Sequence, residues 1–318
     1  MRARNALRLA AAIALTALMV WWAGPANVWR AARGARLPWI AAALALVVVD
    51  RALMAYRAIA LLQPVPAAQR PGVRDIIRIF FVSTYLGTFL PGSVGGDAVR
   101  TYALNRLAVP AADAFASVFL DRLLGIVSLL VMALVGLALA RDLARDPAVL
   151  ASLLATTGVC VVAAAAIFSR RAGALSETLA AWLPSHRVQR ATTAVVAGLQ
   201  RYAPERRILV AVLGGSIGVQ VLRILQAYCL GVSLGIPLPV TAYFAFIPVI
   251  LLVMLLPISI NGLGTSQLAF AGLFGRAGVS QADAVALSIL FLALGVAGNL
   301  PGGLIYALGE RREIVDRK

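Results

Sequence analysis

The stretch Phe89-Leu-Pro-Gly-Ser-Val-Gly-Gly-Asp-Ala-Val-Arg100 places a Pro-Gly pair, two adjacent glycines and two charged residues inside apolar sequence. Lipid tolerates non-helical backbone only where protein or a water-filled cavity covers it, because each unpaired peptide group would otherwise cost several kcal/mol. The stretch therefore predicts a broken, re-entrant element that lines a polar site.

A second interruption of the same kind occurs 166 residues further along, in Leu256-Pro-Ile-Ser-Ile-Asn-Gly-Leu-Gly264. It also follows an apolar run and joins a Leu-Pro pair to nearby glycines. Two interrupted segments at corresponding places in the halves of a membrane chain are typical of transporters, in which they help to form the substrate site.

Hydrophobic residues make up 61% of the 318 residues and charged residues 13%, and the mean hydropathy is +0.90. These values exclude a soluble domain, and the length can hold roughly six to eight spans of about 20 residues each. The formal net charge is +16, yet Lys318 is the only lysine. A Walker-type phosphate loop needs an internal lysine, so ATP hydrolysis of that kind is not expected. The composition predicts an all-α polytopic membrane protein.

Cysteine and histidine usage gives no sign of a metal or a cofactor. Cys160 and Cys229 each lie in an apolar run without a neighbouring cysteine, and the only histidine, His186, lies in a basic loop. This spacing indicates neither a metal site nor a disulfide framework. We therefore expect no cofactor and no metal. The basic residues fall in loops and at span ends, and no nucleic-acid partner is expected.

The hydropathy pattern predicts a single domain, residues 1–318, with about six transmembrane helices. The predicted spans lie near residues 7–23, 38–62, 114–140, 147–168, 207–233 and 280–308. Between them, residues 74–110 and 237–276 hold the two interruptions and are predicted to form re-entrant hairpins.

The N-terminal apolar run has two interpretations. Arg2, Arg4 and Arg8 precede it, which is a pattern that signal peptides share. Trp21 and Trp22 at its end favour a retained first span with an interfacial anchor.

Loop charges predict the orientation, because short cytoplasmic loops carry excess lysine and arginine. Residues 169–207 contain seven arginines against two acidic residues, whereas residues 234–240 carry no charge. The first loop is therefore placed in the cytoplasm, as an amphipathic segment, and the second outside, which puts both termini in the cytoplasm. The loop that carries Arg30, Arg33 and Arg36 disagrees, because it would lie outside.

In this orientation the two hairpins enter the membrane from opposite faces, as in an inverted repeat. Sequence similarity between the halves supports this relation, because Ala112-Asp113-Ala114 matches Ala282-Asp283-Ala284. Chance similarity in a chain rich in alanine and leucine is the alternative.

Two adjacent charges lie in the third predicted span. A charge at mid-membrane costs roughly 2.5 to 3.5 kcal/mol on insertion scales, so such residues face a bundle interior and need partners. Adjacent helix residues do not face one another, so Asp121 and Arg122 need other partners. We expect Asp121 to pair with Arg100 and Arg122 to pair with Asp97. A purely structural clamp is the alternative to a substrate path.

The fifth span carries a polar stripe, because Gln220, Arg223 and Gln226 recur every three residues. Asn299, in the glycine- and proline-containing interruption of residues 298–303, is a candidate for the same cavity. In the second span, Arg57 is expected to snorkel to the interface.

Asp50 and Arg51, also in the second span, do not point to one role from sequence alone.

The apex of the first hairpin is rich in residues that open the backbone to a ligand: Pro91, Gly92, Gly95 and Gly96. A helix that begins near Asp97 would direct its positive end at that place, and with Arg100 nearby an anionic phosphate head group is the natural guest. Asp97 argues against a bare anion trap. It selects a zwitterionic or aminoacylated head group, or it caps the helix.

The chain resembles the lysylphosphatidylglycerol synthetase transmembrane region, or flippase-like, family of bacterial inner-membrane proteins. Three motifs carry the resemblance: FLPGSVGGDAVRTYALNR at 89–106, SVFLDRLLG at 117–125 and LPISINGLGTSQ at 256–267. The third motif departs from the family, because Gln267 stands where members often carry a glutamate. The resemblance implies a flippase-like membrane domain and a stand-alone member without the cytosolic aminoacyl-transferase domain.

The resemblance also implies that the partners are membrane lipids: an anionic or aminoacylated phospholipid, or a polyprenyl-phosphate lipid. The expected location is a bacterial inner membrane. The oligomeric state stays open between a monomer and a homo-oligomer. The residues predicted to line the substrate path are Pro91, Gly92, Gly95, Gly96, Asp97, Arg100, Asp121, Arg122, Arg223, Asn261, Gly262, Gly264 and Gln267.

The leading hypothesis is a non-enzymatic protein that moves a lipid head group between leaflets. One alternative is a membrane-embedded transferase in which Asp97 or Asp121 acts as a base or a metal ligand. Another is an accessory subunit that organises a lipid-modifying complex.

Overall fold

The computed structural model of the chain describes residues 34, 36–89, 95–139, 186–255 and 265–308. Within this part the chain forms nine α-helices and no strand. The helices are α1 Leu37–Ala60, α2 Val73–Gly87, α3 Gly95–Arg106, α4 Ala111–Leu139, α5 His186–Gln200, α6 Arg206–Ser233, α7 Val240–Leu255, α8 Thr265–Arg276 and α9 Gln281–Leu308. The predicted all-helical fold is confirmed.

Four of these helices, α1, α4, α6 and α9, are long and apolar enough to cross a membrane, and α7 is a shorter apolar helix. They coincide with the predicted spans near 38–62, 114–140, 207–233 and 280–308. The chain is therefore a polytopic membrane protein. The predicted spans at 7–23 and 147–168 and most of the loop before α5 lie outside the described residues.

Each predicted hairpin contains two short described helices. Helices α2 and α3 have 15 and 12 residues, and α7 and α8 have 16 and 12. At 1.5 Å per residue these helices are about 18 to 24 Å long, less than the ~30 Å of a hydrocarbon core. The predicted breaks, residues 90–94 and 256–264, lie outside the described residues.

The prediction of a helix interruption at residues 298–303 is wrong. Helix α9 continues from Gln281 to Leu308 with Pro301 inside it. A proline is tolerated within a membrane helix when neighbouring groups compensate for the lost hydrogen bond.

The helix contacts repeat when the first half, α1 to α4, is exchanged for the second half, α6 to α9. Helix α1 packs on α6, and the remaining contacts form equivalent pairs. Helix α2 packs on α9, and its equivalent α7 packs on α4. Helix α1 contacts α9, and its equivalent α6 contacts α4. Helix α3 packs on α4, and its equivalent α8 packs on α9. Helix α5 is an addition that packs on α4. This symmetry supports a structural repeat.

The two equivalent helices α1 and α6 run in opposite directions. At one end the Arg36 amide donates to the Ser233 carbonyl over 3.1 Å. At the other end the Tyr202 hydroxyl donates to the Leu61 carbonyl over 2.5 Å. Opposite directions of equivalent helices are the property that distinguishes an inverted repeat from a parallel one.

Glycine contacts fix the first hairpin. A Cβ on Gly87 would lie 2.7 Å from the Gly96 Cα, so α2 and α3 touch through backbone. A Cβ on Gly302 would lie 2.0 Å from the Phe81 carbonyl oxygen, so α2 also lies directly on α9. The second hairpin is held by aromatic rings instead, with Phe274 of α8 5.3 Å from Tyr243 of α7.

Candidate functional site

A cavity of about 400 Å³ lies between helices of both halves, and charged side chains line much of it. Its charged residues are Asp50, Arg51, Arg57, Asp97, Arg100, Asp121, Arg122 and Arg223. Five arginines against three aspartates give a formal charge of +2. The cavity is therefore an electropositive space inside a bundle of apolar helices.

The cavity lies at the level of the middle of the spans. Asp50 and Arg51 are residues 14 and 15 of the 24 in α1, and Arg223 is residue 18 of the 28 in α6. The end of α2 reaches the same level, because Asn299 of α9 donates from Nδ2 to Thr88 Oγ1 over 2.8 Å. Helices α1 and α6, which are equivalent to each other in the two halves, thus both form part of the cavity wall.

Asp121 of α4 pairs with two arginines. Its Oδ2 accepts a hydrogen bond of 3.0 Å from Arg100 Nη1, as the sequence predicts. Its Oδ1 lies 2.6 Å from Arg57 Nη2, which also donates to the Asp121 carbonyl over 2.8 Å. The side chains of Arg57 and Arg100 are only 5% and 8% exposed.

The prediction that Arg57 snorkels to the interface is wrong. Its stem passes Gly215 of α6, where an added Cβ would lie 3.2 Å from Arg57 Cγ. Its guanidinium reaches Asp121, which offers a carboxylate and a carbonyl. A buried carboxylate within reach replaces the water that snorkelling would seek.

The second predicted ion pair is also present. Arg122 Nε donates to Asp97 Oδ2 over 2.9 Å, and Arg122 Nη2 contacts the same oxygen. The two side chains are 32% and 29% exposed, so this pair is accessible from the cavity. Asp97 is the third residue of α3, so the pair ties the start of the second hairpin helix to the span α4.

Asp50, Arg51 and Arg223 form a third, looser cluster between α1 and α6. Arg51 Nη1 lies 3.5 Å from Asp50 Oδ2, and Arg223 Nε lies 3.6 Å from Asp50 Oδ1. Both guanidiniums also donate to the Met54 sulfur, over 3.3 and 3.7 Å. Thioether sulfur is a weak acceptor, so these contacts satisfy the arginines poorly. The sequence alone left Asp50 and Arg51 without a role.

Neutral amides complete the polar wall, and the predicted stripe of Gln220, Arg223 and Gln226 faces the cavity together with Asn299. Gln220 Nε2 lies 3.3 Å from Ser128 Oγ. Within the described ranges, one atom on each amide is buried without a hydrogen-bond partner: Gln220 Oε1, Gln226 Nε2 and Asn299 Oδ1. Buried polar atoms are normally satisfied, so these atoms call for water or a guest.

Two of the predicted path residues do not line this cavity, and five others lie outside the described residues. Gly95 and Gln267 do not line it, although Gly96 does. Gln267 accepts a hydrogen bond from Ser266 Oγ over 3.1 Å. Pro91, Gly92, Asn261, Gly262 and Gly264 lie outside the described residues. The sequence reasoning missed Ser83, Thr84 and Thr88 of the α2 end, whose only signal was hydroxyl groups in an apolar helix.

The second half has aromatic residues where the first half has its ion pair. Helices α8 and α9 begin 170 residues after α3 and α4, so Phe270 and Phe291 are equivalent to Arg100 and Asp121. The two rings contact each other with centroids 5.8 Å apart. The same shift places Gln267 at the position of Asp97. Apart from Arg223 of α6, the charged residues of the cavity therefore all come from the first half of the symmetric frame.

These features define a class: a multi-pass membrane protein with a repeated helical frame around an electropositive cavity. The family model for the lysylphosphatidylglycerol synthase TM region matches residues 9–302, and the chain belongs to this family. The family is tied to membrane phospholipid metabolism. No curated protein and no solved structure matches the chain.

Proposed function

We propose that the protein moves the phosphate-bearing head group of a lipid between the leaflets of a bacterial inner membrane, while the lipid tails stay in the bilayer. The observation that carries this proposal is the cavity with a formal charge of +2 at mid-span. Moving a phosphate through hydrocarbon is costly because its charge loses water, and fixed arginines replace that water. The position also fits, because transporter sites lie near the midplane between repeats.

The first hairpin brings two helix ends to the cavity. Helix α2 ends beside Asn299, in the middle of α9, and α3 begins with Gly95 and Gly96. We propose that each hairpin enters the membrane from one face, reaches this level and returns. Both termini are placed in the cytoplasm in this arrangement.

Among the candidate lipids, we favour an anionic phospholipid or a polyprenyl-phosphate lipid over an aminoacylated one. An aminoacylated head group brings an ammonium that needs a carboxylate. Each aspartate of the cavity lies within 3.6 Å of an arginine nitrogen: Asp50, Asp97 and Asp121. The carboxylates are therefore engaged as counter-ions, and the surplus positive charge remains for an anion.

The same pairing argues for movement without chemical change. A general base has to reach the proton that it accepts, and a hydrogen bond from an arginine occupies a carboxylate oxygen that would have to do so. Asp97 and Asp121, the two candidate bases, are both held in this way.

The test is reconstitution of the purified protein in liposomes with fluorescent lipids, followed by dithionite quenching of the outer leaflet. We expect faster exchange of phosphatidylglycerol or a polyprenyl phosphate than in empty liposomes. Arg223→Ala should slow exchange, and Arg201→Gln should not, because Arg201 pairs with Asp113 outside the cavity. Equal rates with and without protein for all these lipids would contradict the proposal. A new covalent product in mass spectrometry would favour a transferase.

A further inference from the structure

Arg51 and Arg223 differ from the other buried arginines in how little holds them. Together they have one carboxylate, Asp50, at 3.5 and 3.6 Å, and one shared thioether, Met54. Arg51 Nε is buried and finds no hydrogen-bond partner among the described residues. Two positive charges beside one negative charge leave a local surplus, and several of their donors are unused.

The ion pairs at Asp121 are closer than those at Asp50. Arg57 and Arg100 lie 2.6 and 3.0 Å from Asp121 oxygens and are almost fully buried, although Asp121 Oδ1 and Arg57 Nε also have no hydrogen-bond partner among the described residues. Arg51 and Arg223 are 13% and 29% exposed toward a cavity that both line, so a guest can reach them.

Asp50 itself is poorly satisfied. Its side chain is 2% exposed, and its Oδ1 has no hydrogen-bond partner in the part of the chain that the structure describes. A buried carboxylate in this state is costly unless its charge balances something. Its location between two guanidiniums indicates that it balances them while no other anion is present.

We infer that Arg51 and Arg223 form the phosphate subsite of the cavity, and that Asp50 is the internal counter-ion with which an incoming phosphate competes. This inference rests on the proposed function and assigns its phosphate-binding residues. Two guanidiniums can bind a phosphate through paired N–H donors. Gln226 lies one turn beyond Arg223 on the same face, and its buried Nε2, which no described residue bonds, supplies a further donor.

If this subsite binds phosphate, replacing its arginines and replacing Asp50 should change the anion affinity in opposite directions. Arg51→Gln or Arg223→Gln should weaken anion binding by about tenfold or more, because a hydrogen bond to a charged group contributes that much. Asp50→Asn should strengthen binding, because it removes the competing carboxylate. Arg223→Lys should weaken binding less than Arg223→Gln, since the charge stays and the planar fork is lost.

The measurement is titration calorimetry of the full chain in an uncharged detergent, with dihexanoyl phosphatidylglycerol and with inorganic phosphate as separate probes. Arg201→Gln is the matched control, because it removes an arginine from an Asp pair outside the cavity. Its affinity should equal that of the unmodified protein. Binding of both probes indicates recognition of the phosphate alone, and binding of the lipid probe only indicates that the glycerol ester contributes.

The inference is overturned if Arg51→Gln and Arg223→Gln, each folded by gel filtration, bind both probes as tightly as the unmodified protein. It is also overturned if the unmodified protein binds neither probe, or if folded Asp50→Asn binds more weakly. If Asp50→Asn does not fold, the affinities of Arg223→Lys and Arg223→Gln test the inference instead. Equal affinities of these two variants would overturn it. The liposome assay tests the proposed function separately from the subsite. If the protein exchanges lipids but the variants bind the probes with unchanged affinity, only the subsite is contradicted.

Discussion

Asp121 is the charged residue on which the interior of the first half depends. It neutralises Arg57 of α1 and Arg100 of α3 from its own position on α4, so three helices meet at one carboxylate. Removing an anion that serves two buried cations strands both of them. Removing one of the cations leaves the other in place to neutralise Asp121.

We therefore predict that Asp121→Asn destabilises the protein more than Arg100→Gln does. Stranding a buried charge costs about 3 to 5 kcal/mol, so the thermal transition in detergent should fall strongly for Asp121→Asn. Combining it with Arg100→Gln should recover only part of the loss, because Arg57 remains unpaired. Full recovery in the double variant would show that Arg57 does not depend on Asp121.

Tyr202 fixes the end of the α1–α6 pair. The residue is 1% exposed, and its hydroxyl donates to the Leu61 carbonyl over 2.5 Å. Burial raises the pKa of this hydroxyl above its ordinary value of 10.0, with Asp113 as a second cause. Because the pKa is raised in the folded state, the stability that the protonated Tyr202 hydroxyl contributes is fully present below pH 10.0 and is lost as the pH rises beyond that value.

Tyr202→Phe should thus lower the free energy of unfolding by about 1 to 3 kcal/mol at neutral pH, since it leaves a buried carbonyl without its donor. The difference from the unmodified protein should shrink above about pH 10. Thermal unfolding at several pH values measures both effects. Tyr102→Phe is the control, because Tyr102 is 60% exposed and should have little effect.

At the scale of elements, the two hairpins are held by different means. Backbone contacts at glycines fix α2 against α3 and α9, whereas aromatic rings join α7 and α8. Glycine contacts allow close approach and leave no side chain that can yield. The first hairpin, which carries the ionic residues, is therefore the more rigidly placed at its contact points.

Gly302→Ala should disrupt this contact, because the new Cβ would lie 2.0 Å from the Phe81 carbonyl oxygen and 2.9 Å from the Tyr85 Cβ. Overpacking of this kind costs about 1 to 3 kcal/mol or more. Gly214→Ala is the matched control in α6, where no atom of the described residues lies within 4 Å of the new Cβ. It should be neutral or stabilising by up to about 1 kcal/mol. Equal melting temperatures for both variants would show that α2 and α9 separate readily.

At the scale of the whole molecule, the antiparallel α1–α6 pair constrains the topology. The end of α1 and the start of α6 lie together, as do the start of α1 and the end of α6. The loop after α1 and the loop before α6 should therefore face the same compartment. The loop after α6 should face the other.

Cysteine labelling tests this arrangement in a background without Cys160 and Cys229. Gln69 and Pro237 are both exposed and lie at opposite ends of the pair. A membrane-impermeant maleimide should label Pro237→Cys in intact cells and Gln69→Cys only after permeabilisation. Labelling of both residues from outside would contradict the inverted repeat.

Part of the site could be predicted because a charge in a membrane span has few ways to be stabilised. Asp121 and Arg122 cannot neutralise each other on one helix, which left Arg100 and Asp97 on the neighbouring hairpin as partners. Both pairs are present. Arg57 was assigned wrongly, because sequence does not tell whether a carboxylate or water is the nearer partner.

The sequence by itself determined the class of fold, the four described spans and two ion pairs, because hydrophobic length and the cost of isolated charge act locally. Only the tertiary structure decided that α1 and α6 lie antiparallel in contact. That contact brings Arg51 and Arg223 to one carboxylate, although they are 172 residues apart in the chain. The physical reason is that a shared counter-ion depends on which helix faces pack together, and packing is a property of the whole bundle.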